Sequence, residues 1–177
     1  MVWPAPKVNG EKTIRSAAVL VPLIDHADGL TVLLTQRTSS LPDHAGQVAF
    51  PGGQVEPVDQ TAEDTALREA HEEVGLHPRL VEPVGRLSPR DTRTGFRVMP
   101  VVGLVRPSLE TRADPGEVEH IFEVPLAEVA DGSNFKLEPV ETRGVMREYW
   151  VMKHDSFFIW GLTARILREL SIVLRQS

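Results

Sequence analysis

The sequence predicts a mixed α+β fold, equivalently an α/β layer fold built on a mixed sheet, and three observations predict it. Short runs rich in Val, Leu, Ile and Phe recur from residue 15 to residue 160. Only two longer stretches keep the 3.6-residue apolar period of a helix, one central and one C-terminal. Strands and helices do not alternate regularly, which excludes a chain of βαβ units.

The elements follow in order. "RSAAVLVPLI" (15–24) and "LTVLLTQR" (30–37) flank "DHADG" and read as a β-hairpin with a longer loop. "TSSLPDHAGQVAFPGGQVEPVDQ" (38–60) is loop-like, broken by Pro42, Pro51 and Pro57, with room for a short strand at 47–50. A helix is expected over 61–74. Thr61 and Asp64 have the spacing of a capping box, and Gly75 suits the left-handed position that ends a helix. "RLVEPVGRL" (79–87) and "GFRVMPVVGLV" (95–105) are strand-like. "FEVPLAEVAD" (122–131) reads as a strand end running into a short helix. "MREYWVMKH" (146–154) and "FFIW" (157–160) are further strands. "GLTARILRELSIVLRQS" (161–177) closes the chain as an amphipathic helix, its stripe formed by Leu162, Ile166, Leu167, Leu170 and Leu174. No internal repeat interrupts this order, so one domain over 1–177, with its core at about 15–170, is expected.

Composition bounds the function. The 177 residues carry a formal net charge of -6, which argues against a broad nucleic-acid-binding face. Charge and hydrophobic content, 25% and 41%, are those of a soluble domain, and no apolar run approaches the roughly 20 residues that span a bilayer. Cysteine is absent, so thiolate metal sites are excluded, and a cytoplasmic protein is expected. Arg86, Arg90, Arg93 and Arg97 cluster in sequence, either as a solvated loop or as a phosphate-facing group.

The central helix carries an anomaly. At about 100° per residue, Ala66, Leu67, Ala70 and Val74 share one arc and form the buried stripe. Glu69, Glu72 and Glu73 converge in the adjacent arc. Like charges at i, i+4 cost a few tenths of a kcal/mol, and anions in a last turn oppose the helix dipole by roughly 0.3–1 kcal/mol each. Either this is a solvated acidic face, or a hard cation turns the liability into a site, since Mg²⁺ prefers oxygen ligands and substrate phosphates.

"GGQVEPVDQTAEDTALREAHEEVGL" (52–76) resembles the box of the Nudix hydrolases, a Gly-led loop followed by a helix ending REUXEEXGU, where U is bulky and apolar. Arg68, Glu69, Glu72, Glu73, Gly75 and Leu76 match, Gly53 matches the leading glycine, and Ala70 stands in for a bulky residue. Two departures are visible: Asp59 replaces a glutamate, and the spacer from there to Arg68 is one residue longer. "LLTQRTSSLPDHAGQVAFPGG" (33–53) is similar to the segment that precedes the box in the coenzyme A diphosphatase branch. Weaker likeness continues through "GFRVMPVVG", "PGEVEHIFEVPL" and "WGLTARIL".

That resemblance implies an α/β/α sandwich with a mixed sheet, Mg²⁺ or Mn²⁺ as cofactor, and hydrolysis of a nucleoside diphosphate linked to another moiety. It implies Glu69, Glu72 and Glu73 as metal ligands, with a backbone carbonyl of Gly52 or Gly53, and Arg68 as a brace on the glutamates. The general base is a box glutamate such as Glu73 or a later-loop glutamate, Glu117 first and Glu119 second. Arg37, His44 and Gln47 fall where substrate recognition is expected, Arg37 because a guanidinium fork suits phosphate oxygens. Arg90, Arg93 and Arg97 are candidates for a 3′-phosphate, and Phe50 for the core. The substrate implied is coenzyme A or a derivative. ADP-ribose, NADH and dinucleoside polyphosphates stay open, as do a binding module without catalysis and a homodimer.

Overall fold

The computed structural model describes residues 14–39, 45–106, 110–142 and 144–176. In chain order these form strands β1 (Arg15–His26), β2 (Gly29–Arg37), β3 (Val48–Ala49) and β4 (Gly52–Gln54), then helix α1 (Ala62–Val74). Strands β5 (Val81–Arg86), β6 (Arg90–Asp91), β7 (Phe96–Val105) and β8 (Val118–Pro125) lead to the short helix α2 (Leu126–Ala130). Strands β9 (Lys136–Thr142), β10 (Val145–His154) and β11 (Phe157–Trp160) precede the C-terminal helix α3 (Gly161–Gln176).

Among the described residues, eight strands form one sheet with the central path β3–β2–β1–β7–β5, while β4 pairs with β1, β6 with β7 and β8 with β2. β1 and β7 run parallel from Arg15↔Phe96 to Ile24↔Val105, a pairing that requires a long crossover, and α1 lies in it. The other edge of β1 changes partner along its length: Ala17–Val19 pair with β4, and Leu23–His26 pair with β2. β9, β10 and β11 form a second, antiparallel sheet.

Alternation along the strands sends apolar side chains to both faces of the large sheet. Ala18, Leu20 and Ile24 of β1, with Leu33 and Val101, meet Ala62, Ala66, Ala70 and Val74 of α1. Val21, Leu23, Val32 and Leu34 meet Ile166, Leu167 and Leu170 of α3 together with Met152 and Ile159 of the small sheet. The result is an α/β/α sandwich on a mixed sheet, as expected. Three of these four α1 residues are alanines, so little side-chain volume separates the helix from the sheet.

Several local expectations change. The hairpin loop is tight, not long: His26 pairs with Gly29, leaving Ala27 and Asp28 as the turn. The ladder simply continues through Asp25 and His26. Gly52–Gln54, read as loop, is strand β4. A Cβ at Gly52 would lie 2.4 Å from the Ala18 carbonyl, so the missing side chain is what lets this segment lie against β1. Lys136–Thr142 is strand β9, which hydrophobic patterning did not reveal. α1 forms as expected, with both capping-box bonds between Thr61 and Asp64, and Gly75 at φ 72 closing it. Phe50 is buried in the core.

Candidate active site

Four chain segments converge at the C-terminal half of α1: β4, the loop before α1, the end of β2, and the loop leading into β8. The starting point is Asp59. Its side chain is 1% exposed and accepts from the Glu56 amide at 2.9 Å, the Thr65 hydroxyl at 2.9 Å, and Arg68 Nε and Nη2 at 3.2 and 3.0 Å. Burial alone would raise its pKa, yet these donors outweigh it and hold the carboxyl below the usual range. The Arg68 guanidinium spans the site. Nη2 also donates to the Gln54 carbonyl at 3.0 Å, while Nη1 reaches Glu69 at 2.8 Å and Glu72 at 3.4 Å. The i, i+4 partner Glu72 was foreseeable, but it is the weaker contact. Asp59, nine residues earlier, is the residue sequence reasoning passed over as a mere departure, although its place at the box's first acidic position was the available signal.

The carboxylates differ in environment. Glu72 is wet, its side chain 59% exposed. Glu69 is half-buried, and burial raises its pKa against the pull of Arg68, with Glu72 and Glu117 adding to the rise. Gly53 abuts it closely: a Cβ there would fall 2.5 Å from the Glu69 carboxyl carbon. Glu73 is buried at 5% exposure. Burial, then the Glu117 and Glu69 carboxylates, push it up to about 8, while the Arg37 cation and the Gly52 amide pull down.

Arg37 ends β2, and its charge acts on Glu73. Its amide donates to the Gln47 carbonyl at 3.0 Å and its carbonyl accepts from the Gly46 amide at 3.1 Å. Among the described residues its buried Nε has no hydrogen-bond partner, which is true of Arg90 Nε as well. Such an orphan donor is costly unless a ligand completes it. Glu117 is exposed in the loop before β8, and its carbonyl accepts from the Thr38 amide at 3.0 Å. The structure thus brings together Arg37, Gly53, Arg68, Glu69, Glu72, Glu73 and Glu117, with the Gln47 backbone. Glu119 is exposed within β8, at the position skipped where the pairing with β2 shifts register. His44 lies outside the described residues.

The arginines after β5 do something else. Arg86 pairs with Glu63 at 2.6 Å, Arg90 with Glu169 of α3 at 2.5 Å, and Arg97 with Asp91 at 2.7 Å. Three of the four clustered guanidiniums hold carboxylates of this chain, and Arg90 Nε is buried with no partner among the described residues.

The site fits a hard divalent cation. Its donors are all oxygens, and two of its carboxyls, Glu69 and Glu73, are pushed toward the neutral form by burial first and by neighbouring carboxylates second. Among the described residues no three His, Asp or Glu side chains form a ready-made cage. Mg²⁺ characteristically binds through a few carboxylates together with water and substrate phosphates.

Comparison with known proteins places the chain in a family. The NUDIX domain profile matches residues 14–151. The chain is 46% identical to the "Uncharacterized Nudix hydrolase NudL" of Citrobacter koseri, over 94% of this chain and 87% of the relative. It is 44% identical to the protein of that name in Escherichia coli K12, over the same shares. Among solved structures, the MutT protein of Methanosarcina mazei shares the fold with a TM-score of 0.59 at 16% identity, covering 94% of this chain and all of that one. The NUDIX domain of Shewanella oneidensis NrtR complexed with ADP ribose gives 0.51 at 25% identity, over 67% of this chain and 77% of that one.

Proposed function

The chain belongs to the NUDIX family and is a hydrolase of pyrophosphate bonds, and we propose that the bond it cleaves is the diphosphate of coenzyme A or a derivative. The products would be 3′,5′-ADP and a 4′-phosphopantetheine. The observation that carries this reading is Arg37. It belongs to the 33–53 segment that resembles the coenzyme A branch, its charge acts on Glu73, and its buried Nε has no acceptor among the described residues. A diphosphate oxygen supplies one.

Glu69, Glu72 and Glu73, with a backbone carbonyl at Gly53, would hold Mg²⁺ or Mn²⁺. The cation supplies Lewis acidity toward the diphosphate and the attacking water. Arg68, anchored on Asp59, braces Glu69 and, more weakly, Glu72. Arg37 binds and orients the diphosphate, with Gln47 and His44 in the same recognition segment. Glu117, exposed and near enough for its charge to act on Glu73, takes the proton from water as its oxygen bonds to phosphorus. The bridging P–O bond breaks in line and its electron pair leaves with the departing phosphate. The cysteine-free composition supports a reducing, cytoplasmic setting.

One rival is favoured by a specific observation. The NrtR domain, of the same fold, was solved with ADP ribose, so ADP-ribose is the second reading. Product analysis separates the two. The protein is incubated with coenzyme A, ADP-ribose and NADH, with Mg²⁺ or Mn²⁺ or with chelator, beside a Glu73→Gln control. Release of 3′,5′-ADP from coenzyme A, abolished by chelator and by the variant, is expected. Cleavage of ADP-ribose or NADH alone would overturn the coenzyme A assignment.

A further inference from the structure

The loop that carries Glu117 is tied to the last turn of α1 by a small set of bonds centred on Asp114. The Arg112 amide donates to the Val74 carbonyl at 2.9 Å, and the Asp114 amide to the Glu73 carbonyl at 2.8 Å. These occupy C-terminal carbonyls that α1 cannot satisfy itself. Gly75 makes the approach feasible, being left-handed and placing only a hydrogen where a Cβ would sit 3.3 Å from the Arg112 nitrogen. The Asp114 carbonyl then accepts from the Glu117 amide at 3.1 Å and the Val118 amide at 2.8 Å, and its Oδ1 accepts from the Gly116 amide at 2.8 Å. This is one helical turn, 114–118. Asp114 caps it, and Pro115 follows with φ already fixed and no amide to satisfy.

We propose that Asp114 is a positioning residue: its amide grips the backbone of Glu73, its carbonyl and carboxylate shape the turn that presents Glu117, and so it sets the two carboxylates against each other. The proposal rests on the reading of Glu117 as a member of the reacting site. The far side of the turn is fixed too, because the Glu117 carbonyl accepts from Thr38, the residue after Arg37. Asp114 is thus the link through which α1, β2 and the β8 loop agree on where Glu117 stands. It is exposed and needs no contact with substrate. Removing its side chain takes away the cap but leaves the backbone bonds weakened, not abolished. Loss of such a cap lowers local stability by a factor of about five.

The test compares wild type, Asp114→Ala, Asp114→Asn, Glu117→Gln and the Asp114→Ala/Glu117→Gln double variant. Asparagine caps as well as aspartate, so Asp114→Asn should stay within about twofold of wild type. Asp114→Ala should lose about five- to tenfold in kcat on whichever diphosphate substrate wild type cleaves, with KM and Mn²⁺ affinity changed less than about twofold. The double variant should be no slower than Glu117→Gln alone, because Asp114 acts through Glu117. Hydrogen exchange at the Gly116, Glu117 and Val118 amides should quicken about fivefold in Asp114→Ala and hold in Asp114→Asn. Unchanged kcat, multiplying effects in the double variant, or an Asp114→Asn as impaired as Asp114→Ala would each overturn the proposal. If wild type cleaves no diphosphate, the functional reading fails by itself. The exchange data then decide whether Asp114 holds Glu117, and unaltered protection in Asp114→Ala would refute it.

Discussion

Gly53→Ala isolates the site from the fold. In the structure a Cβ at this position would lie 2.5 Å from the Glu69 carboxyl carbon and 2.5 and 2.7 Å from its two oxygens. Ordinary contact begins near 3.4 Å, so the carboxylate must retreat by roughly 1 Å. The strand at Gly53 is not left-handed, so alanine strains no dihedral there, and reduced freedom of the unfolded chain contributes about 0.4–1 kcal/mol in its favour. The obstacle is the far end of a flexible side chain, which can swing away at small cost to stability. Cation ligands, however, tolerate only about ±0.2 Å, and a 1 Å misplacement at a reacting centre can cost about 100-fold in rate. The variant should therefore unfold within about 2 °C of wild type while losing roughly 100-fold in kcat/KM and binding Mn²⁺ far more weakly. Thermal unfolding, Mn²⁺ titration and steady-state kinetics on one preparation check this. Wild-type kinetics together with an unchanged melting temperature would refute the claim that Gly53 is there to admit Glu69.

Other outcomes follow from the same geometry. Asp59→Ala strips a buried carboxylate from Arg68 and should destabilise by roughly 3 kcal/mol in chemical denaturation, even without substrate or metal. Because Asp59's folded pKa lies below its unfolded value near 3.8, its contribution is full above that pH and is lost as pH falls through the folded value. Acid unfolding of Asp59→Ala should accordingly be shallower than that of wild type. Glu73 has the opposite sign. With its carboxyl raised from 4.5 to about 8, the metal-free protein binds a proton that the unfolded chain releases. Its contribution is therefore full below about 4.5 and lost as pH rises through about 8. Denaturation in chelator between pH 5 and 8.5 should show stability falling by a few kcal/mol at most, and Glu73→Gln should flatten the slope. Arg37→Lys keeps the charge but loses the planar fork, so KM for the diphosphate substrate should rise about tenfold with a smaller change in kcat. An unchanged KM would remove Arg37 from substrate binding.

What could be read from the sequence was what local physics decides. Thr61, Asp64 and Gly75 mark α1 because capping needs only residues three positions apart and a left-handed stop. The convergence of Glu69, Glu72 and Glu73 follows from helical pitch. What escaped depends on partners far along the chain. Arg90 could not be assigned because Glu169 sits 79 residues away, on α3. β9 escaped because KLEPVET alternates poorly and carries Pro139, features an outer strand tolerates and a central one does not. Gly52–Gln54 looked like a turn because its glycines signal freedom, whereas here they signal close approach to β1 and to Glu69. Asp59 looked like a weakened glutamate. Its shorter arm instead sits inside the loop, where four donors reach it.

The closure at Arg37 bears on how such a protein can change its diet. Arg37 and the 46–47 backbone bond each other in both directions, so whatever lies between them hangs from a closed base. A loop held at its base in this way can vary in length at a closure cost that grows only logarithmically, about 0.6 kcal/mol per doubling, while Thr38 stays tied to the Glu117 carbonyl. On the proposed reading, the segment that would recognise the substrate and the carboxylates that would support hydrolysis are separable parts, joined at Arg37 and Thr38.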